Sequence, residues 1–135
     1  MSKNTIKTIF WSAGLFNIGA GLIFSLLFTN PYPARYYPSV FSDFGLIIIM
    51  LWGLAYISVS STYMHVRGLM LIFTIEKLIY FITWIWFLVD KGSMLPGILS
   101  ESFITGLALS SYGSVDFLFG CFFAWVWFKG YKVTS

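Results

Sequence analysis

Glu76 and Lys77 stand next to each other near the middle of Gly68–Val89, a run long enough to cross a bilayer as a helix and otherwise free of charge. An ionisable side chain at such depth costs about 3 kcal/mol on insertion scales, so it is expected to face a protein interior or a water-filled cavity and to mark a working site. A buried carboxylate is pulled towards its neutral form by burial and towards its charged form by a neighbouring ammonium. Glu76 beside Lys77 is therefore a poised group, suited to coupling with a proton or to holding a cation. The other acid expected at depth is Asp116, near the start of the apolar run Val115–Phe128.

Counting about 1.5 Å per helical residue inward from the cytoplasmic edge brings further polar groups to the same level. Asn17 falls about 15 Å deep, Tyr56 about 13 Å, and Glu76 and Lys77 about 12 to 14 Å. Asp116 falls about 20 Å deep, within reach of an extended lysine. On the third helix Leu69, Phe73, Glu76, Tyr80, Thr83 and Phe87 share one stripe at spacings of three and four, which places the Tyr80 hydroxyl on the face of Glu76. Lys77 lies about 100° further round, so both charges are interior only if the helix packs on two sides or Lys77 reaches Asp116. The expected site is thus a mid-membrane polar layer of Asn17, Tyr56, Glu76, Lys77, Tyr80 and Asp116 that binds or passes a proton, an ion or a small solute. The competing reading of the same residues is a buried ion network that fixes helix register.

These groups need a bilayer around them. Of the 135 residues 59% are hydrophobic and only 10% charged, with a mean hydropathy of +0.85, a balance that suits a polytopic membrane protein. Thr8–Phe28, Phe44–Tyr63 and Gly68–Val89 each supply about 20 residues, the length of a hydrocarbon crossing. After Met94 the chain carries Pro96, Gly97, Gly106 and Gly113 before the apolar run Val115–Phe128. The expected fold is all-α: a four-transmembrane-helix bundle forming one domain, with helices at about 8–28, 44–63, 68–89 and 114–129 and a short interfacial or partly re-entrant segment over 98–109. In this arrangement Ser114 caps the start of the last helix and Gly130 its end. A single longer helix from Phe103 is the alternative.

With the N-terminus inside, short cytoplasmic stretches hold Lys3, Lys7, Arg67, Lys129 and Lys132, against Arg35 and Lys91 outside. That asymmetry places both termini in the cytoplasm; the expected location is an integral protein of a bacterial inner membrane. The net charge of +3 is a topology signal, and no basic cluster is dense enough for nucleic acid. Phe28-Thr29-Asn30-Pro31 lacks a small-x-small cleavage site, so the first helix is read as an anchor rather than a signal peptide.

The remaining features concern partners. Thr29 to Pro38 carries three prolines and three tyrosines, read as a helix-free aromatic cap at headgroup depth. Aromatics reach 21%, with six Trp and 15 Phe, which exceeds what two interface belts use and leaves room for a small hydrophobic ligand, lipid or quinone. Ser12, Ala13, Gly14, Gly19, Ala20 and Gly21 form a small-residue face for close helix approach, either within the chain, in a homo-oligomer or in a larger membrane complex. Met64-His65-Val66-Arg67 is a turn so short that the second and third helices form a hairpin, with His65 at the interface.

Several chemistries have no residues to carry them. There is no cysteine pair, since Cys121 is alone and read as a small packing residue, no HExxH, no phosphate-binding glycine loop, and no nucleophile with a histidine partner at depth. No metal, no cofactor and no enzymatic activity is expected. Paired carboxylates at Glu76 and Asp116 acting on a lipid are the one catalytic arrangement the residue types admit.

Gly53-Leu54-Ala55-Tyr56, Lys77 in the third helix, and Gly113-Ser114-Val115-Asp116-Phe117-Leu118-Phe119, together with overall size, resemble the small four-helix bacterial membrane proteins of the DoxX-like kind. The resemblance covers about a fifth of the chain and implies an accessory subunit near quinone-linked redox systems. It carries over no catalytic residue, and Glu76 and Met94–Tyr112 fall outside it.

Overall fold

A computed structural model describes residues 1–129, so the expected C-cap Gly130 and the cytoplasmic Lys132 lie outside the described residues. Among the described residues the chain is all-helical, without strands, and it divides into two compact units, Met1–Ser61 and a second that begins at Thr62.

The first unit is a pair of antiparallel helices. α1 spans Lys3–Phe24, capped at its start by the Ser2 hydroxyl, which accepts from the Thr5 amide at 3.1 Å. It ends four residues before the expected Phe28, because Leu26, Leu27 and Phe28 turn left-handed at φ 48°, 55° and 65°. The carbonyls released there are taken up locally: the Asn30 side-chain amide donates to the Phe24 carbonyl at 3.0 Å, and the Asn30 backbone amide to that of Ser25 at 2.8 Å.

The stretch expected to be free of helix holds two short ones, α2 (Tyr32–Tyr36) and α3 (Pro38–Phe41). Their prolines sit in the first turn, where a missing amide hydrogen costs nothing and the fixed φ favours helix, so they start these turns rather than block them. Arg35 lies over the Tyr32 ring at 4.9 Å, and Tyr32 stacks on Tyr36 at 6.5 Å.

α4 spans Asp43–Val59, starting on the Ser42 hydroxyl, which accepts from the Gly45 amide at 3.1 Å, with Asp43 in the dipole-favoured first turn. α1 and α4 meet backbone to backbone at Gly14 and Gly53, where a Cβ on Gly53 would stand 2.6 Å from the Gly14 carbonyl oxygen. One on Gly21 would lie 3.1 Å from Met50, and one on Gly19 would meet nothing. At Gly14 and Gly21 the neighbour of the small-residue face is thus α4 of the same chain.

The second unit opens with a 3₁₀ turn, Tyr63–His65, that leaves His65 exposed. α5 then spans Arg67–Lys91, and a further 3₁₀ turn, Gly92–Met94, leads into α6, Leu95–Glu101, with Pro96 in its first turn. α7 runs unbroken over Phe103–Lys129. The separate interfacial segment expected over 98–109 and the helix start at Ser114 are therefore corrected: residues 98–101 belong to α6 and 103–109 to the first turns of α7.

The reason is legible in the contacts. Ser102, not Ser114, caps the helix, its hydroxyl accepting from the Thr105 amide at 3.4 Å and donating to the Thr105 hydroxyl at 2.9 Å. Ser110, Ser111 and Ser114 donate their hydroxyls back to helix carbonyls at Leu107, Leu107 and Ser111, which keeps polar residues inside a continuous helix. The glycines that suggested a break are points of close approach. Leu99 packs on Gly106, Trp84 on Gly113 and Lys77 on Gly120.

Gly106, Gly113 and Gly120 recur every seven residues, with Leu109, Asp116 and Phe123 at the intervening positions, and all six are buried. A sustained seven-residue spacing keeps one seam of α7 against its neighbours, in the manner of a coiled coil. Against this seam α5 runs antiparallel, Phe73 meeting Phe123 with ring centroids 5.4 Å apart and Phe81 meeting Phe117 at 4.8 Å.

Three helical runs are long and apolar enough to cross a membrane: Lys3–Phe24, Phe103–Lys129, and Arg67–Glu101, which comprises α5, the turn and α6. α4, with 17 residues, is apolar but shorter. Exposed Ile72, Ile75, Ile79 and Ile82 line α5 with side chains suited to lipid.

Candidate buried charge site

Lys77 occupies the α5 stripe that meets α7, in line with Met70, Phe73, Trp84 and Phe87 at spacings of three, four and seven. Its Cβ rests where Gly120 has no side chain, and its flexible stem carries Nζ to Asp116 Oδ1 at 2.6 Å. The lysine side chain is 1% exposed and that of Asp116 11%. Charge-assisted bonds of this length are the strong ones, and burial of both side chains weakens solvent screening of the pair.

The site is braced at both ends of the seam. On the Asp116 side, Trp84 covers Gly113 and donates its indole N–H to the Leu109 carbonyl at 3.0 Å, fixing the ring across α7. At the far end Arg67, in the first turn of α5, donates Nε–H to the Trp127 carbonyl at 3.0 Å and lies over the Trp127 ring at 5.6 Å. That carbonyl belongs to the last turn of α7, where a cation also answers the helix dipole.

Glu76 is buried as well, so both members of the adjacent pair are interior, and the link from Lys77 to Asp116 expected as one way of achieving this is present. Of the stripe expected to share the face of Glu76, Phe73 and Phe87 are buried, while Leu69, Tyr80 and Thr83 are half-buried. Tyr80 stands one turn from Glu76 on α5. The Thr83 hydroxyl is committed to the Ile79 carbonyl at 2.7 Å. Glu76, Lys77 and Asp116 are the charged residues buried among the described residues.

No family model, no curated protein and no solved structure matches this chain. The likeness to the DoxX-like proteins rests on its short motifs alone.

Asn17 and Tyr56, the two other expected site residues, belong to the first unit. The Asn17 amide donates to the Ile49 carbonyl at 3.0 Å and so links α1 to α4, and Tyr56 is fully buried on α4. Cys121, expected as a packing residue, is exposed on α7. Among the described residues no group of three or more His, Cys, Asp or Glu is placed to hold a metal ion. The roles missed in the sequence are those of Gly120, which seats Lys77, and of Gly113, which seats Trp84, and the signal for the two glycines was their seven-residue spacing.

Proposed function

We propose that this is an integral membrane protein of four crossing helices, with both termini in the cytoplasm of a bacterial cell, that binds or passes a proton, an ion or a small solute at the buried site around Glu76, Lys77, Tyr80 and Asp116. Burial of two acids and one base within helices that are otherwise apolar carries this reading. Ionisable groups at such depth are costly, and those that persist usually face a protein interior or a water-filled cavity and mark a working site. Exposed apolar rows on α4, at Phe44, Ile47, Leu51 and Leu54, offer further faces for lipid or for other helices of an oligomer or a larger membrane complex.

The test is flux driven by proton and salt gradients in proteoliposomes, with the unmodified chain compared with Glu76→Gln at matched insertion. Flux that disappears in the variant supports a conduction or coupling role. Equal flux in both, with the variant folded, rejects Glu76 as part of the path.

A further inference from the structure

Away from the buried charges, α1 begins with a polar hollow. Asn4, Lys7, Thr8 and Trp11, at spacings of three and four on one side of the helix, line an open cavity of about 280 Å³. This side is separate from the face that meets α4 at Gly14, Asn17 and Gly21. The Thr8 hydroxyl donates to the Asn4 carbonyl at 2.9 Å, so the donors among the lining side chains are the Lys7 ammonium, the Asn4 amide and the Trp11 indole. No acid lies on α1, and Asp43, the acid of the Met1–Ser61 unit, opens α4 at the far end of the antiparallel pair. The hollow therefore favours an anion. Its charge comes from Lys7 rather than from the helix end, where the Thr5 amide is already taken by the Ser2 hydroxyl.

Beyond Trp11, which is 43% exposed, the same side of α1 turns apolar, with Leu15 exposed and Leu22 half-buried. From Trp11 to Leu22 the helix rises about 16 Å, half of a hydrocarbon core of about 30 Å. Cation, indole and apolar lane thus follow one another in the order in which a phospholipid places its phosphate, its ester carbonyls and its acyl chains. We propose that the hollow binds the headgroup of an anionic membrane phospholipid: Lys7 and Asn4 hold the phosphate, Trp11 donates at the depth of the esters, and the chains lie along Leu15 and Leu22. A soluble anion would use the cation and leave the lane idle. The inference rests on the membrane reading above and is independent of any passage at Glu76.

The deciding experiment titrates the detergent-solubilised protein, at one ionic strength, with phosphatidylglycerol, with phosphatidylcholine of the same acyl chains, and with glycerol phosphate, which has the phosphate but no chains. Native mass spectrometry counts the molecules held. The expected result is phosphatidylglycerol bound about fivefold more tightly than phosphatidylcholine, the effect of one cation at a lipid surface, with no binding of glycerol phosphate at matched concentration. Lys7→Gln removes the preference, while Lys3→Gln, outside the hollow, leaves it. Trp11→Phe weakens both lipids, because the esters are common to them. Lys7 and Lys3 are exposed, so both lysine variants are expected to fold as the unmodified chain does.

Equal affinity for the two lipids overturns the inference. Glycerol phosphate bound as tightly as phosphatidylglycerol overturns it as well, since the hollow is then a site for free anions. A preference lost equally in Lys3→Gln and Lys7→Gln assigns it to diffuse charge at the end of the helix and also overturns the hollow. The membrane reading is tested apart from these arms: a protein that alkaline washing releases from cell membranes defeats that reading whatever the lipids do, and one that is retained leaves the lipid titration to decide.

Discussion

The Cβ of Lys77 rests on the bare backbone of Gly120, where an added Cβ would stand 3.1 Å away. This approach sets the distance between α5 and α7 at the level of the ion pair, since Asp116 lies one turn before Gly120 on the same seam. Gly120→Leu is expected to push the helices apart and separate Lys77 from Asp116, lowering stability by about 1 to 3 kcal/mol as overpacking does. Gly120→Ala needs only a few tenths of an ångström of give and should be much milder. Thermal unfolding of the two variants in one detergent checks the order.

Breaking the ion pair from either side leaves a buried charge without its partner. Asp116→Asn and Lys77→Met should each cost about 3 to 5 kcal/mol, whereas the double variant should cost clearly less than their sum. A double-mutant cycle on unfolding free energy measures the coupling. Additive losses would mean that the 2.6 Å contact contributes little.

Glycines on α1 make a sharper contrast, because Gly14 abuts Gly53 and Ile57 while Gly19 faces open space. Gly14→Leu should abolish folding or insertion, and Gly19→Leu should be tolerated by the isolated chain. Should Gly19→Leu instead remove a crosslinked partner from native membranes without unfolding the protein, that position is the contact face of a complex. Expression with limited proteolysis, then crosslinking, reads both.

The left-handed turn at Leu26, Leu27 and Phe28 places three side-chain-bearing residues where L-amino acids pay about 1 to 2 kcal/mol each. Leu27, at φ 55° and exposed, is the position at which glycine should relieve strain without opening the core. Leu27→Gly is expected to raise stability by up to about 1 kcal/mol once the greater freedom of the unfolded chain is deducted. A melting temperature below that of the unmodified protein would contradict the strain.

Trp84 ties α5 to the Leu109 carbonyl and covers Gly113. Trp84→Phe should lose about 0.5 to 1.5 kcal/mol for the hydrogen bond, while Gly113→Val should cost more by displacing the ring. Unfolding followed by far-ultraviolet circular dichroism compares the two.

Much of the fold was readable in the sequence because helices long and apolar enough to cross a bilayer announce themselves by length and apolar content, as α5 did to within two residues at each end and α1 to within five. Lys77 meeting Asp116 was also readable, since depth counting needs only the helical rise. What failed was the treatment of glycine and proline as breaks. Gly106 and Gly113 are seats for Leu99 and Trp84, and serines whose hydroxyls bond back along the helix concealed the continuity of α7. Likewise Pro33 and Pro38 start helices, because in a first turn the missing amide hydrogen has no partner to lose. The end of α1 at Phe24 rests on the Asn30 side chain, a capping contact that no hydropathy pattern contains.

Arg67 answers to two demands at once. As a cation at the start of α5 it would weigh on the orientation of α5 and α7 in a membrane, and as a donor to the Trp127 carbonyl it joins the two helices at one end. Exchanging it for a neutral residue would therefore loosen the fold and weaken the instruction for its insertion in a single step. Lysine would keep the vote on orientation but lose the planar group that lies over Trp127. The chain thus has less freedom to change at this helix start than an exposed, charged position ordinarily allows.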